Sequence, residues 1–189
     1  LAGDPQFFFF FAAFAEKCRE EGFLLQLTER LQAAFDERFP WVRCIEAERL
    51  DGKSVQQESF VKRAAALFGL LEKYELLQEK SLLRDICRLV WQDIEANLSL
   101  HLIASKLGIS TDYAGRIFRH KTGMHFVAFV TRMKMERGKV LLSRGHSKNY
   151  EISERLGYSN PDYFRQLFKA HTGMTPTEYR NACRRQMFR

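Results

Sequence analysis

The stretch LGYSNPDYFRQLFKAHTGM occupies residues 156–174, and a related stretch, LGISTDYAGRIFRHKTGM, occupies residues 107–124. A short segment with apolar residues at helical spacing precedes each stretch. The two stretches, each with its preceding segment, lie about 49 residues apart. Repetition at a fixed spacing indicates two copies of one supersecondary unit. We therefore expect each copy to contain a short helix, a turn and a second helix, which is a helix-turn-helix layout.

The turn of each copy carries residue types with a physical reason for their positions. In the first copy, Ala104 is small enough for a close helix crossing, Gly108 can adopt the left-handed conformation that ends a helix, and Ser110 can cap the next helix. The second copy offers, in the same order, Ser153, Gly157 and either Ser159 or Asn160, with Pro161 suited to a first helical turn. The residues expected to bury the inner faces are Leu107, Ile117 and Phe118, and in the second copy Leu156, Leu167 and Phe168.

Between the two copies an apolar stripe predicts a connecting helix of roughly 17 residues, which would span about 25 Å. Its apolar residues are Phe126, Phe129, Val130, Met133, Val140, Leu141 and Leu142. Helices that enter successive major grooves on one face of B-DNA lie roughly 34 Å apart, so a rigid connector would have a use in DNA binding.

Charge is distributed unevenly along the chain. Residues 1–98 contain 13 Lys and Arg against 17 Asp and Glu, whereas residues 99–189 contain 17 against 6. The halves therefore carry about −4 and +11 of the total of +7. A basic half favours a polyanionic partner, because released counterions drive association with phosphate backbones. Charge alone leaves nucleic acid, an acidic membrane and simple solubility open.

Residues from about 98 to 180 resemble the DNA-binding domain of the AraC/XylS family of bacterial transcription regulators. The motifs that carry the resemblance are Gly157-Tyr158-Ser159, Tyr163-Phe164, Leu167-Phe168-Lys169, Thr172-Gly173-Met174-Thr175-Pro176 and Tyr179-Arg180, with Phe118-Arg119, Thr122-Gly123-Met124 and Leu141-Leu142 in the first copy and connector. The resemblance implies sequence-specific binding to double-stranded DNA and regulation of transcription. The chain departs from the family pattern at Lys134 (usually Arg), Gly138 (Ala), Ala114 (Leu), Ser153 (Ala) and Asn149 (apolar).

The outward positions of the second helix in the first copy are the predicted DNA contacts. They are Thr111, Asp112, Gly115 and Arg116, with Arg119 and Lys121 toward the backbone. Arg116 is the preferred base reader, because a guanidinium can bond bidentately to O6 and N7 of guanine. A solvated arginine or a phosphate contact is the alternative for this residue.

In the second copy the resemblance and the helical spacing together turn Asn160, Pro161, Asp162, Arg165 and Gln166 outward. We expect Arg165 and Gln166 to read bases and Lys169 to contact phosphate. Asp162 could accept a hydrogen bond from cytosine, cap the helix or repel wrong partners. The aromatic and aliphatic residues expected in the core are Tyr163, Phe164, Leu167 and Phe168, together with Phe118, Phe129 and Tyr158.

The N-terminal half is expected to be largely helical, with an α+β fragment as the alternative. Apolar spacing predicts helices over about 14–38 and 82–97, with a further long helix between them marked by Phe60, Ala64, Leu67, Leu71 and Tyr74. Residues 41–59 are expected to form a turn or linker that could join two short strands. The Phe7–Phe11 cluster fits a buried strand or helix. A heptad through Leu70 and Leu77 allows a dimer seam, although Arg63 and Arg84 interrupt it.

These patterns divide the chain into a regulatory or dimerisation region (residues 1–80), a connecting helix (81–97) and a DNA-binding domain (98–189). The first region could be truncated, since the chain starts at Leu1 and not at Met. The fold class is mainly α. If the N-terminal region binds a small-molecule effector, the connecting helix is the natural coupling element, because it leads directly into the first copy.

No motif indicates an enzyme, a cofactor or a metal site. The five histidines are scattered, and Cys18, Cys44, Cys87 and Cys183 lack paired spacing, which favours free thiols in a reducing cytoplasm. The apolar run 7–15 is too short to span a bilayer. Beyond duplex DNA, the candidate partners are RNA polymerase, an effector and a second copy of the chain. The alternative function is a helical adaptor or dimerisation protein whose basic half binds DNA non-specifically.

Overall fold

The computed structural model describes residues 21–50, 60–96, 98–145 and 147–187. These residues form ten helices and no strand. In chain order the helices are α1 (Glu21–Arg38), α2 (Val42–Leu50), α3 (Phe60–Lys73), α4 (Leu82–Gln92), α5 (Leu100–Lys106), α6 (Thr111–Thr122), α7 (Phe126–Arg144), α8 (Asn149–Arg155), α9 (Pro161–Thr172) and α10 (Pro176–Met187). The prediction of a mainly α fold is therefore confirmed for the described part of the chain.

The chain divides into two compact units, Leu1–Asp85 and Ile86–Arg189. In the first unit α1 packs against α3. Glu46 of α2 is buried, and its carboxylate accepts hydrogen bonds from the ammonium of Lys73 and the hydroxyl of Tyr74. A buried carboxylate needs such donors, because leaving it unpaired would cost several kcal/mol or more.

The expectation of a turn or of short strands over residues 41–59 is wrong where the structure describes them. Residues Val42–Leu50 form α2, which is kinked at Glu46 (φ −101°, ψ 18°), with Trp41, Val42 and Cys44 buried at its start. The polar character of this stretch hid the helix, because the partners that make burial of Glu46 tolerable come from α3 and the residue after it. Residues 51–59 lie outside the described part, as do the Phe7–Phe11 cluster and Cys18.

Residues 21–38 of the helix predicted over 14–38 form α1, and residues 14–20 lie outside the described part. The helix predicted from Phe60 to Tyr74 ends at Lys73, and Glu75 takes a left-handed backbone conformation with φ of 52°. Leu77 is 64 % exposed, so the proposed heptad continues onto a non-helical turn. The connecting helix ends at Gln92 and not at 97, although its predicted stripe of Leu83, Ile86, Val90 and Ile94 is buried.

The second unit contains the two predicted helix-turn-helix units, α5–α6 and α8–α9, each packed as a helix pair. Gly108 and Gly157 have left-handed φ values of 67° and 77°, as the sequence predicts. The side chain of Ser110 accepts a hydrogen bond from the Tyr113 amide at 3.2 Å and so caps α6. Of the two candidates in the second turn, Asn160 is the cap of α9.

Helix α7 is the centre of this unit. It has 19 residues, about 28 Å at 1.5 Å per residue, and it contacts α6, α8, α9 and α10. A cluster of its residues and those of the second helix pair forms a core of Met135, Leu141, Leu142, Ile152, Leu156, Phe164 and Phe168. Val140, predicted to be in the apolar stripe, is 41 % exposed. The half-buried members of the predicted inner faces are Leu107, Ile117 and Leu167.

Asn149, which departs from the family pattern, is the first residue of α8 and connects it to α10. Its amide nitrogen donates to the hydroxyl of Thr177 at 2.9 Å, and its amide oxygen accepts from the guanidinium of Arg180 at 2.7 Å. The polar side chain therefore has partners for both the nitrogen and the oxygen of its amide. The second helix-turn-helix pair begins where the sequence predicts.

Replacing Gly138 by Ala should stabilise the protein. Gly138 lies inside α7, and a methyl group there would meet side-chain atoms of Leu156, Phe168 and Phe164 at 3.4–3.6 Å, which is ordinary contact. Alanine gains about 1 kcal/mol of helix propensity over glycine, so thermal unfolding should show Gly138→Ala melting a few degrees higher than the wild type.

The matched control is Gly157→Ala. Its residue needs the left-handed conformation, and a methyl group would approach the Lys134 ammonium to 3.2 Å, so its melting temperature should fall. A lower melting temperature for Gly138→Ala would contradict the packing described for α7.

Candidate nucleic-acid interface

The second helices of the two helix-turn-helix pairs, α6 and α9, have the same length and similar ends. Each has 12 residues and a capped start, and each ends at a glycine with a left-handed conformation. The first helices start 49 residues apart and the second helices 50 residues apart, because the second turn is one residue longer. Residue n of α6 therefore corresponds to residue n + 50 of α9, which pairs Asp112 with Asp162 and Arg116 with Gln166.

The exposed face of α6 carries three of the predicted contacts, Asp112, Arg116 and Arg119. They lie opposite the fully buried side chains of Ala114 and Phe118. Because these positions recur every three or four residues, they form one stripe along the helix. The stripe combines two guanidinium groups with one carboxylate.

The remaining predicted residues of α6 are half-buried, Thr111, Gly115 and Lys121. The hydroxyl of Thr111 lies 3.3 Å from Nδ1 of His101. At Gly115 an added Cβ would lie 3.2 Å from a methyl group of Leu100, so the glycine permits a close approach of α5. These residues flank the exposed stripe.

The exposed face of α9 carries Asp162, Arg165, Gln166 and Lys169, and the exposed Asn160 and Pro161 lie at its start. Asn160 caps the helix, since its side-chain oxygen accepts from the Asp162 amide at 2.9 Å. The Asp162 carboxylate instead approaches the Arg165 guanidinium at 3.4 Å. Both side chains are mostly exposed, so this ion pair contributes little to stability and leaves Arg165 available to a ligand.

Tyr163 was expected in the core, and this prediction is wrong. Its side chain is 53 % exposed, whereas Phe164 is buried. The Tyr163 ring packs edge-on against Tyr158, with 6.0 Å between the ring centroids. Tyr163 therefore covers the margin of the core formed by Phe164 and Phe168.

An open groove of about 1060 Å³ is lined by residues of both helix-turn-helix pairs, α5–α6 and α8–α9. One side carries Asp112, Gly115, Arg116 and Arg119 of α6, and the other carries Tyr158 and Tyr163 of the second helix-turn-helix pair. Residues at the start and along one side of α7 form the floor: Phe126, Val127, Val130, Thr131 and Lys134. The outward residues of α6 therefore share one concave surface with the start of α9.

Lys134 lies on the floor of this groove and is only 8 % exposed. Its ammonium lies 5.3 Å from the centroid of the Tyr158 ring, and burial lowers its pKa. Burial also raises the pKa of the Tyr158 hydroxyl to about 12, with a further contribution from Tyr163 that outweighs a hydrogen bond with Thr131. The sequence marked Lys134 only as a departure from the family pattern.

Glu95, just after α4, connects three segments of the second unit. Its carboxylate accepts from Arg137 of α7, with a nitrogen to oxygen distance of 2.6 Å, and from Arg155 of α8. Burial alone would raise the pKa of Glu95, but the hydrogen bonds from Arg155 and Arg137 lower it. Lys106 of α5 is paired with Asp93 at 2.8 Å. The segment after the connecting helix is thus tied to both helix pairs.

A second ionic contact ties the end of α9 to α7. Nε2 of His171 lies 2.8 Å from the Glu136 carboxylate, which also accepts from Lys139 at 2.7 Å. Burial alone would raise the pKa of Glu136, but the hydrogen bonds from His171 and Lys139 lower it. The contact favours one orientation of α9 on α7.

No helix in residues 21–50, 60–96, 98–145 or 147–187 is both long and apolar enough to cross a membrane. Within those same ranges, no group of three or more His, Cys, Asp or Glu side chains could hold a metal ion.

Comparison with known proteins agrees with this geometry. The helix-turn-helix domain family matches residues 103–182. Transcriptional regulatory protein YesN of Bacillus subtilis is 33 % identical over 132 residues, covering 67 % of this chain and 36 % of that protein. The C-terminal domain of AraT, a response regulator from Geobacillus stearothermophilus, is 28 % identical with a TM-score of 0.51, over 55 % of this chain and 86 % of that chain.

A transcriptional regulator from Chromobacterium violaceum with an AraC-type DNA-binding domain has the same fold, with 24 % identity and a TM-score of 0.52 over 54 % of this chain and 91 % of that chain. The second unit is thus a tandem helix-turn-helix module. It belongs to the AraC-type DNA-binding domains of transcription regulators. The chain spans 36 % of YesN and 44 % of the Msm operon regulatory protein of Streptococcus mutans.

The contact between Glu136 and His171 predicts a pH dependence of stability. Because the folded-state pKa of Glu136 lies below its ordinary value of 4.5, its contribution is fully present above about pH 4.5 and is lost as the pH falls through the lower value. Urea unfolding from pH 5 to pH 3 should show the difference in free energy of unfolding between wild type and Glu136→Gln shrinking as the pH falls. A difference that stays the same from pH 5 to pH 3 would contradict this prediction.

Proposed function

We propose that this protein is a sequence-specific regulator of transcription in which α6 and α9 read two successive major-groove segments of one DNA duplex. The observation that carries the proposal is the matched pair of exposed polar stripes on α6 and α9, with the stripe of α6 opening onto the same groove as the start of α9. The excess of 17 basic over 6 acidic residues in residues 99–189 supports a polyanionic partner.

We assign base reading to Arg116 in the first helix-turn-helix pair and to Arg165 and Gln166 in the second pair. These side chains are exposed, lie away from the buried residues of their helices and suit base edges, since arginine pairs with guanine and glutamine with adenine. The remaining proposed contacts place or flank the helices and are Thr111, Asp112, Gly115, Arg119, Lys121, Asn160, Pro161, Asp162 and Lys169.

The exposed position of Asp162 next to Arg165 suggests a role in selection. The carboxylate would accept from the amino group of cytosine while holding the guanidinium toward a neighbouring base. Near a phosphate or a purine acceptor it would repel, so it would also act against wrong sequences.

Control of DNA binding through the N-terminal region stays a prediction, as do the division at residues 80, 81–97 and 98, RNA polymerase contact, a small-molecule effector, a homodimer and a cytoplasmic location. One contact makes the segment after α4 the natural route for such control. Glu95 holds both Arg137 and Arg155, so a shift of this segment would act on α7 and α8 directly.

Selection of bound sites from random duplex DNA by the full chain tests the proposed function. The wild type should select one bipartite site, and Arg116→Ala and Arg165→Ala should each relax preference in a different half of it. Loss of one bidentate contact costs about 1–3 kcal/mol, or roughly 5- to 150-fold in discrimination at the affected base.

The matched control is Arg144→Ala, which removes the same charge from the end of α7 outside the groove. It should weaken binding to all sequences slightly and leave the selected site unchanged. If the wild type enriches no sequence, or if both arginine variants relax the same half, the proposal is wrong. Uniform weak binding to all duplexes would instead favour a non-specific adaptor.

A further inference from the structure

Lys134 is a buried charge that the proposed base contacts do not use. Its side chain is only 8 % exposed, and within the described residues its ammonium has no carboxylate partner; it lies beside the Tyr158 ring and the Gly157 turn at the end of α8. The ammonium is not among the fully enclosed polar atoms that lack a partner, but covering most of its side chain without an opposite charge nearby still costs hydration and lowers its pKa. A residue that bears this cost in the free protein is a candidate for an anionic ligand.

The ammonium lies on the floor of the groove between the two helix-turn-helix pairs, where few acidic groups are present. The charged or titratable side chains lining the groove are Asp112, Arg116, Arg119, His125, Lys134, Tyr158 and Tyr163. A single carboxylate faces three Lys or Arg side chains there. Low-dielectric walls strengthen the resulting positive potential, so the groove favours an anion.

The start of α7 adds a second positive feature to the same groove. His125 occupies the N-cap position but makes no side-chain cap, whereas Ser99, Ser110 and Asn160 cap other helices of this unit. The first amide groups of α7 therefore keep their capacity to donate, and a helix start attracts negative charge. Phe126 and Lys134 both line the groove and lie eight residues apart, about 12 Å along the helix.

We propose that this groove holds the sugar-phosphate backbone that separates the two major-groove segments, with the Lys134 ammonium bonded to a phosphate oxygen. The inference rests on the proposed function, because a duplex with α6 in one major groove and α9 in the next must carry its backbone across the space between them. The phosphate would supply the partner that Lys134 lacks. Contact with the backbone fixes position and carries no sequence information.

The experiment measures how the affinity of the full chain for its selected site depends on salt, with Lys134→Met and Lys134→Arg as variants. Methionine fills a similar volume on Tyr158 without the charge, and arginine keeps the charge. Each neutralised phosphate contributes about 0.9 to the slope of log affinity against log salt. Lys134→Met should lower the slope by about that amount, whereas Lys134→Arg should keep it.

Melting temperature separates this role from a structural one. Since methionine removes a largely covered charge that has no carboxylate partner, Lys134→Met should melt at the wild-type temperature or higher, with its sequence preference unchanged. A variant that melts lower and keeps the wild-type salt slope would show that Lys134 only supports the turn beside Gly157, and would overturn the proposal.

Neutral methylphosphonates, placed one at a time along the backbone between the two half-sites, locate the contact. One or two positions should weaken the wild type and leave Lys134→Met unaffected; equal effects on both proteins at every position would overturn the inference. If the wild type selects a site with a steep salt slope and Lys134→Met matches it, this inference alone fails. If the wild type selects no site, the proposed function fails as well.

Discussion

Burial of α7 against both helix-turn-helix units is the constraint on which the proposed interface depends. Phe129, Met133 and Leu142 are fully buried along this helix. The Phe129 ring lies 5.1 Å from that of Phe118 on α6, while Leu142 shares a core with Phe164 and Phe168 on α9. Neither α6 nor α9 can rotate alone without opening this core. The lost apolar contacts would cost several kcal/mol of stability. The distance and angle between the two polar stripes follow from that packing.

Polar contacts around the core refine the same arrangement. His171 and Glu136 join the end of α9 to α7, Asn149 joins the start of α8 to α10, and Glu95 joins the segment after α4 to α7 and α8. Individually such partly exposed contacts contribute modest stability. Their value lies in orientation, since each fixes the angle of a helix that the apolar core alone would hold less specifically.

The sequence predicts the second unit well where local chemistry decides the structure. Gly108 and Gly157 end helices, Ser110 and Asn160 start them, and the buried aromatics Phe118, Phe129, Phe164 and Phe168 recur at helical spacing, so these features follow from short stretches. Prediction fails where distant residues decide. Tyr163 lies at the same helix position as Tyr113 of α6, and both side chains are exposed; α2 forms because Lys73 and Tyr74 satisfy Glu46. The burial of Lys134 likewise depends on a turn more than 20 residues away.

The central claim is that two helices, held by one rigid connector, engage a single duplex at a fixed separation. The measurement that tests it most directly is the affinity of the full chain for its selected site after insertion of five base pairs, about half a helical turn, between the two half-sites. The insertion places one half-site on the opposite side of the duplex, so affinity should fall to that of a single half-site. Unchanged affinity after insertion would show that the two helices do not act as one rigid unit and would contradict the claim.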